Sequence, residues 1–408
     1  MVPLKVQRPG FNFNLEALRG CAAVIVVWHH LVYHHHYFDP NYMPTGVWAF
    51  NPPGHFAVNI FFLLSGFVIG KSHPQPLRRT GILPYLRKRF VRLYPIYVLA
   101  VLAGVAAAGF TLPLHAIGQH LYFWASWGDP IMFENNPLWS LQYEVVFYLA
   151  FIPLSLLATR PWVVAVGAAP LGIGALFLEA NVFHSTLAQF LIGFSFWAVG
   201  WALSALPMAE GPTRWPRLLS ALLLLLSLEH LDPLTIWATQ LVIWLSEHQH
   251  PLNSPWGLNY ATLPYAIVIV LGMAGVRNTV LSALSLVVHL LPLYGVVYTV
   301  LHSADPGASE LLIPCVLYMV SLGLYFSKAP ALTTASRVVV QRLIPLGAIS
   351  YGIYVIHFPI LFTFGRVELF PGSVVGYLGR IVLYLLLTFL AATWLDKKFQ
   401  PWIKKRLG

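Results

Sequence analysis

Charge is what this sequence has least of. Of 408 residues only 9% are Asp, Glu, Lys or Arg, against about 25% in an ordinary soluble domain, and that deficit excludes a conventional cytosolic enzyme. Acids are scarcer still, 14 against 24 Lys and Arg. Cysteine is nearly missing: Cys21 and Cys315 each lie in an apolar stretch, which excludes a disulfide framework or a thiolate metal site and makes both small packing residues. Polar composition of the disordered kind is missing too. With 58% hydrophobic and 14% aromatic residues and a mean hydropathy of +0.70, the excess apolar surface must face lipid. The chain reads as a polytopic membrane protein.

The net charge of +10 would suggest nucleic acid in a soluble chain. Here the basic residues sit between apolar runs, where the positive-inside bias places them, so no nucleic-acid partner is expected. The first apolar run carries Arg19 and several histidines without a small-residue cleavage site, which reads as a retained span and not a signal peptide.

A span needs about 20 apolar residues. Runs of that size occur at 15–37, 55–71, 93–112, 138–158, 161–179, 186–205, 217–231, 260–276, 279–301, 310–326, 344–364 and 374–396. The expected fold class is all-α, a transmembrane helix bundle of ten to twelve spans, with 217–231 and 260–276 the weakest. The apolar segment 234–246 is short and is kept on the outer side. With the N-terminus inside, 21 of the 24 Lys and Arg then fall on cytoplasmic segments, all but Arg19, Arg366 and Arg380. Asp39, Asp129, Glu134, Asp232, Glu247, Asp305 and Glu368 fall outside. Both termini are therefore expected to be cytoplasmic. The lipid bilayer is the first partner, and residues 1–408 read as one integral-membrane domain with no appended soluble domain.

Five pieces carry chemistry. In LEALRGCAAVIVVWHH, an arginine inside a span costs roughly 2.5–3.5 kcal/mol on insertion scales. Eleven residues from Arg19 to His30 make about three turns and a rise of about 16 Å, so both leave one helix face while His29 is rotated away. A fixed positive charge at one depth and an imidazole able to accept a proton at another suit a substrate lying along the helix. The plain alternative is an interfacial arginine and a hydrogen-bonded core histidine. Ser65 and Gly66 in FFLLSGFVIG read first as small residues at a close helix contact. Arg89 and Arg92 in YLRKRFVRLYP share a face and match phosphate geometry, although an anionic-lipid anchor explains them equally. In PLWSLQYEVVFYL, Ser140, Glu144 and Tyr148 fall on one face, and Glu144 should point into the bundle toward a cation, an imidazole or a hydroxyl. The last piece, LGAISYGIYVIHFPI, places His357 two residues before Pro359.

In this order the five pieces resemble one family, the acyltransferase 3 membrane O-acyltransferases. The resemblance rests on Arg19 and His30, Ser65 to Phe67, Arg89 to Pro95, Pro137 to Glu144 and Ser350 to His357. It implies transfer of an acyl group, commonly acetyl, from cytoplasmic acyl-coenzyme A (acetyl-CoA) to a hydroxyl of a carbohydrate, glycolipid or polysaccharide. It also implies residence in a bacterial cytoplasmic (inner) membrane. Carried over position by position, it gives His30, Arg19 and Glu144 catalytic roles, Arg19, Arg89 and Arg92 the donor, and His357 a place in the substrate lining; beside the resemblance, Ser65 is read as helping to line the site, and the triplet His34 to His36 as lining its outer mouth or as an interfacial cluster. No metal is expected. Many members have ten spans, and 217–326 holds extra apolar material here. Members that decorate peptidoglycan or O-antigen often carry a fused hydrolase-like domain, and such a partner would here be a separate periplasmic protein.

Two other classes compete. A transporter or flippase also uses intramembrane Arg, Glu and His, and thioester turnover separates it from an acyltransferase. A metal-dependent membrane oxidase is suggested by His29, His30, His34, His35 and His36, where His30 and His34 are four apart. It needs further histidine boxes, and apart from His248 and His250 the remaining histidines are scattered.

Overall fold

The computed structural model describes residues 13–127, 132–178, 182–208, 212–247, 255–302, 309–367 and 372–407. Among these the chain is helical, with no strand. The first half contains α1 (Phe13–Tyr33), α2 (His35–Phe38), α3 (Gly54–Ser72), α4 (Ile82–Ala107), α5 (Leu114–Leu121) and α6 (Trp139–Leu156). It continues with α7 (Pro161–Ala175), α8 (Val182–Leu203), α9 (Trp215–Leu231) and α10 (Pro233–Glu247). The second half contains α11 (Leu263–Ala274), α12 (Thr279–Leu290), α13 (Pro292–His302) and α14 (Ser309–Phe326). The last four are α15 (Pro330–Gly347), α16 (Ser350–Phe364), α17 (Val374–Trp394) and α18 (Gln400–Leu407). Proline opens several of them, at Pro161, Pro216, Pro264 and Pro330, where its missing N–H has no intrahelical partner to lose. Asn278 and Ser373 cap others by accepting from the backbone N–H of Leu281 and Gly376.

By length and composition, eight helices among the described residues can cross a membrane, or nine if α15 and α16 are one broken span. The sequence suggests ten to twelve. The difference has two sources, three short helices and one bent pair. The runs at 161–179, 260–276 and 310–326 form shorter helices; α7 and α11 have 15 and 12 residues, below the roughly 20 needed to span the hydrocarbon unaided. Segment 234–246, not counted as a span, follows α9 directly as α10, and Trp215–Trp244 makes one apolar stretch of 30 residues. The basic stretch after Phe326 folds into α15, which meets α16 at 72°. Asp129, Asp305, Glu368, His248 and His250 lie outside the described residues.

Helix α1 is central, packed against α3, α15 and α16. It runs parallel to α16, with Arg19 toward one end and His30 toward the other. Helices α3 and α8 approach each other closely: a Cβ on Gly66 would stand 1.9 Å from the Trp197 carbonyl oxygen and one on Gly200 would stand 2.0 Å from that of Leu63. No side chain fits on either glycine, so the two helices touch backbone to backbone, as small residues allow in lipid. Gly66→Val should lower stability by about 1–3 kcal/mol or more, read as a reduced melting temperature in detergent. Gly323→Ala, where a Cβ meets nothing within 4 Å, should leave it unchanged or slightly raised; equal effects would refute the close-contact role.

Candidate active site

Arg19 leaves α1 beside Glu16, one turn earlier, with Nη1 2.8 Å from Oε1. Arg19 also lines a cavity between α1, α3, α4, α6 and α16, together with Ser65, Arg89, Arg92, Ser140, Glu144, Tyr148 and Tyr354. Arg92 is exposed at its edge. Arg89 is buried, only 7% exposed, and its guanidinium lies between the rings of Tyr85 and Tyr148, 5.5 and 5.4 Å from their centroids. Among the described residues its Nε has no hydrogen-bond partner and no carboxylate pairs with it. Aromatic faces offset part of the burial of such a cation. The remaining electrostatic demand is for an anion, and a guanidinium is shaped to meet phosphate oxygens.

Glu144 finds a hydroxyl. Tyr148, four residues on, donates a short hydrogen bond to the Glu144 carboxylate, and Ser65 donates to the Tyr148 hydroxyl at 3.1 Å. Tyr85 in turn donates to the Tyr148 backbone carbonyl at 3.1 Å. The cavity wall is thus a chain of hydroxyls ending on a carboxylate, built across α3, α4 and α6.

His30 and His357 lie beyond this cavity. Tyr354 connects the two regions. Its hydroxyl is 2.6 Å from Ser140 Oγ on the cavity wall, and its backbone carbonyl is 2.8 Å from His357 Nδ1. His357 Nε2 is 2.8 Å from His30 Nδ1, with the rings stacked at 5.1 Å. The His34 ring follows at 5.6 Å from His30, against Phe358. The structure therefore brings Arg19, Ser65, Arg89, Arg92 and Glu144 to one cavity and places His30, His34 and His357 in a file beyond it. His29 points elsewhere, its Nδ1 3.1 Å from the Pro52 carbonyl and its ring filling the space a Gly54 Cβ would take. Among the described residues no three His, Cys, Asp or Glu side chains converge as a metal site, and Cys21 and Cys315 are free.

A family profile described as an acyltransferase domain matches residues 12–229, more than half of the chain. The chain belongs to the acyltransferase 3 family. Among its relatives is the acyltransferase MdmB of Streptomyces mycarofaciens, 32% identical over 162 residues, which are 37% of this chain and 40% of that protein. Protein 2 of the picA locus of Rhizobium radiobacter is 33% identical over 106 residues, 26% of this chain and 48% of that protein. The chain thus covers less than half the length of each relative. No solved structure matches it. The part matched to the acyltransferase 3 family carries Arg19, His30, Ser65, Arg89, Arg92 and Glu144; His357 lies after it.

Several residues of this acyltransferase 3 member carry the site without having been singled out in the sequence. Glu16 was legible in the three-residue spacing of LEALR. Asn135 was not. Pro359 has no N–H for the Val355 carbonyl, and Asn135 Nδ2 donates to that carbonyl at 3.1 Å and to Ala100 O at 3.0 Å, joining the turn before α6 to α16 and α4. Gln400 does the same for Pro95, donating to the Val91 carbonyl at 2.8 Å. The turn before α6 is also held by His120, whose Nε2 accepts from Met132 N–H at 2.9 Å. Burial pushes this imidazole down to about 4.

Asn135→Leu strands the Val355 carbonyl and should cost about 1–3 kcal/mol, seen as a lower melting temperature; an unchanged value would remove Asn135 from this role. His120 must stay neutral in the folded state, and its folded value lies below the unfolded one. The stability it contributes is therefore complete above about pH 6.5 and falls as pH drops toward 4, by up to about 1.4 kcal/mol per pH unit. Melting at pH 7 and pH 5 should differ more for the wild type than for His120→Gln, and identical shifts would count against it.

Proposed function

We propose that this chain is a membrane O-acyltransferase that moves an acyl group, acetyl in the first instance, from acyl-coenzyme A to a hydroxyl of a carbohydrate or lipid-linked acceptor in a bacterial inner membrane. The observation that carries the reading is the buried Arg89 guanidinium, paired with no carboxylate among the described residues, on the wall of a cavity that also holds Arg19 and Arg92. Together these side chains offer a cationic seat for the donor's phosphates. The same helix that supplies Arg19 supplies His30 three turns further along, so a donor seated on the arginines lies with its arm directed toward an imidazole.

In the reaction, His30 takes the proton of the acceptor hydroxyl while its oxygen forms a bond to the thioester carbonyl carbon. The tetrahedral adduct collapses with cleavage of the carbon–sulfur bond, and the thiolate leaves and regains a proton. General-base help of this kind is worth about 10²- to 10⁴-fold. Glu144 is satisfied by Tyr148 and balances the charge of the arginines. A relative named as an acyltransferase and the family match over the segment holding these residues support the reading.

Purified protein incubated with acetyl-CoA and a panel of glycan acceptors should release free thiol only when an acceptor is present. His30→Ala should lower kcat about 10²-fold or more. Arg89→Gln should raise KM for acetyl-CoA about 10-fold or more, the loss of one charged hydrogen bond. Folded protein that transports a glycan without turning over thioester would point to a carrier instead.

A further inference from the structure

We infer that His357 is a positioning residue: it holds His30 in the tautomer that keeps Nε2 unprotonated and open to the acceptor hydroxyl. This rests on the reading of His30 as the base.

The assignment follows from the hydrogen bonds in order. His357 Nδ1 faces two backbone carbonyls, Tyr354 at 2.8 Å and Ile353 at 3.2 Å. A carbonyl only accepts, so Nδ1 carries the hydrogen. A neutral imidazole has one N–H, which leaves His357 Nε2 as a lone pair. That lone pair is 2.8 Å from His30 Nδ1, so His30 is the donor and its hydrogen is on Nδ1. The remaining nitrogen of His30, Nε2, is the one with a free lone pair, and no described residue hydrogen-bonds to it.

The reverse order requires His357 to hold hydrogens on both nitrogens. That places a full charge on a side chain with no exposed surface and no carboxylate among its hydrogen-bond partners, which burial disfavours strongly. The other rings facing His30 are His29, His34 and Phe358. His29 is engaged with the Pro52 carbonyl; His34 meets His30 only through its backbone N–H, which donates to the His30 carbonyl at 2.9 Å, and Phe358 has no polar atom on its ring, so neither competes for Nδ1.

His357 can do this because α16 is fixed around it. The Tyr354 hydroxyl donates to the Pro137 carbonyl at 3.2 Å, Asn135 holds the Val355 carbonyl, and the Gly352 N–H donates to Asp396 at 2.7 Å. The arrangement is a base oriented by a partner on its far nitrogen, the logic by which a carboxylate fixes a catalytic imidazole. Here the partner is a second imidazole, so the charge that develops on His30 as it takes the acceptor's proton is met by a neutral lone pair.

The test uses the full-length protein in detergent with acetyl-CoA and a glycan acceptor. His357→Ala should lower kcat about 10- to 100-fold, the usual effect of losing an orienting partner, with KM for acetyl-CoA unchanged. His357→Gln, whose amide oxygen can accept from His30 Nδ1–H, should recover most of kcat. Full kcat in His357→Ala, or a folded Gln variant as poor as Ala, overturns the proposal. If His30→Ala is inactive while His357→Ala is not, the positioning role fails and the base survives; activity in His30→Ala fails the base itself. Should the alanine variant not fold, nitrogen-15 histidine spectra of the wild type decide directly. Hydrogen on His30 Nδ1 and none on Nε2 is expected, and the opposite tautomer overturns it.

Discussion

In lipid there is no water to complete a hydrogen bond, so every polar group inside the bundle must find its partner within the protein. Helix α16 shows how far this constraint reaches. Pro359 interrupts its ladder, and the carbonyl set free at Val355 is filled by Asn135 from another segment. Tyr351 donates to the Leu93 carbonyl of α4 at 2.8 Å, Gly352 is held by Asp396, Tyr354 is held at Ser140, and His357 reaches α1. Satisfying α16 therefore fixes the relative positions of α1, α4, α6 and the turn that follows α17. The site is the place where those obligations meet.

The same rule separates the two ends of the site. Toward the start of α1 the unsatisfied groups are cationic: Arg19 is relieved by Glu16, whereas Arg89 has only aromatic faces. Toward its end the groups are neutral imidazoles and carbonyls, which complete one another without a counter-ion. A charged ligand group is favoured at the first end and proton exchange at the second. The hydroxyl wall of Ser65, Ser140 and Tyr354 lies between them.

Much of this was readable from the sequence, and the limits have physical causes. Apolar runs announce helices, and the eleven-residue interval from Arg19 to His30 fixes a shared face because helical period is local. Gly66 was also legible as a contact residue. The number of spans was less so, since apolar content marks α7, α11 and α14 without revealing how short they are. The basic stretch holding Arg337 and Arg342 hid a helix, α15, behind its charges. Partners distant in sequence left no periodic trace: nothing in PLWSL announces that Ser140 meets Tyr354, and nothing near Asn135 announces the carbonyl freed by Pro359. His34 and His357 could be placed on their helices, but their position beyond the cavity depends on how α16 leans on α1.

The backbone contact at Gly66 and Gly200 bears on how the molecule breathes. Helices joined through side chains can slide as rotamers change, whereas at Gly66 and Gly200 α3 and α8 meet with no side chain between them, which resists such sliding. Any adjustment of the cavity then falls to the other helices that line it. Among them α4 carries Pro95, where the hydrogen-bond ladder is interrupted and, among the described residues, the Gln400 side chain alone reaches the freed Val91 carbonyl, so bending there costs little.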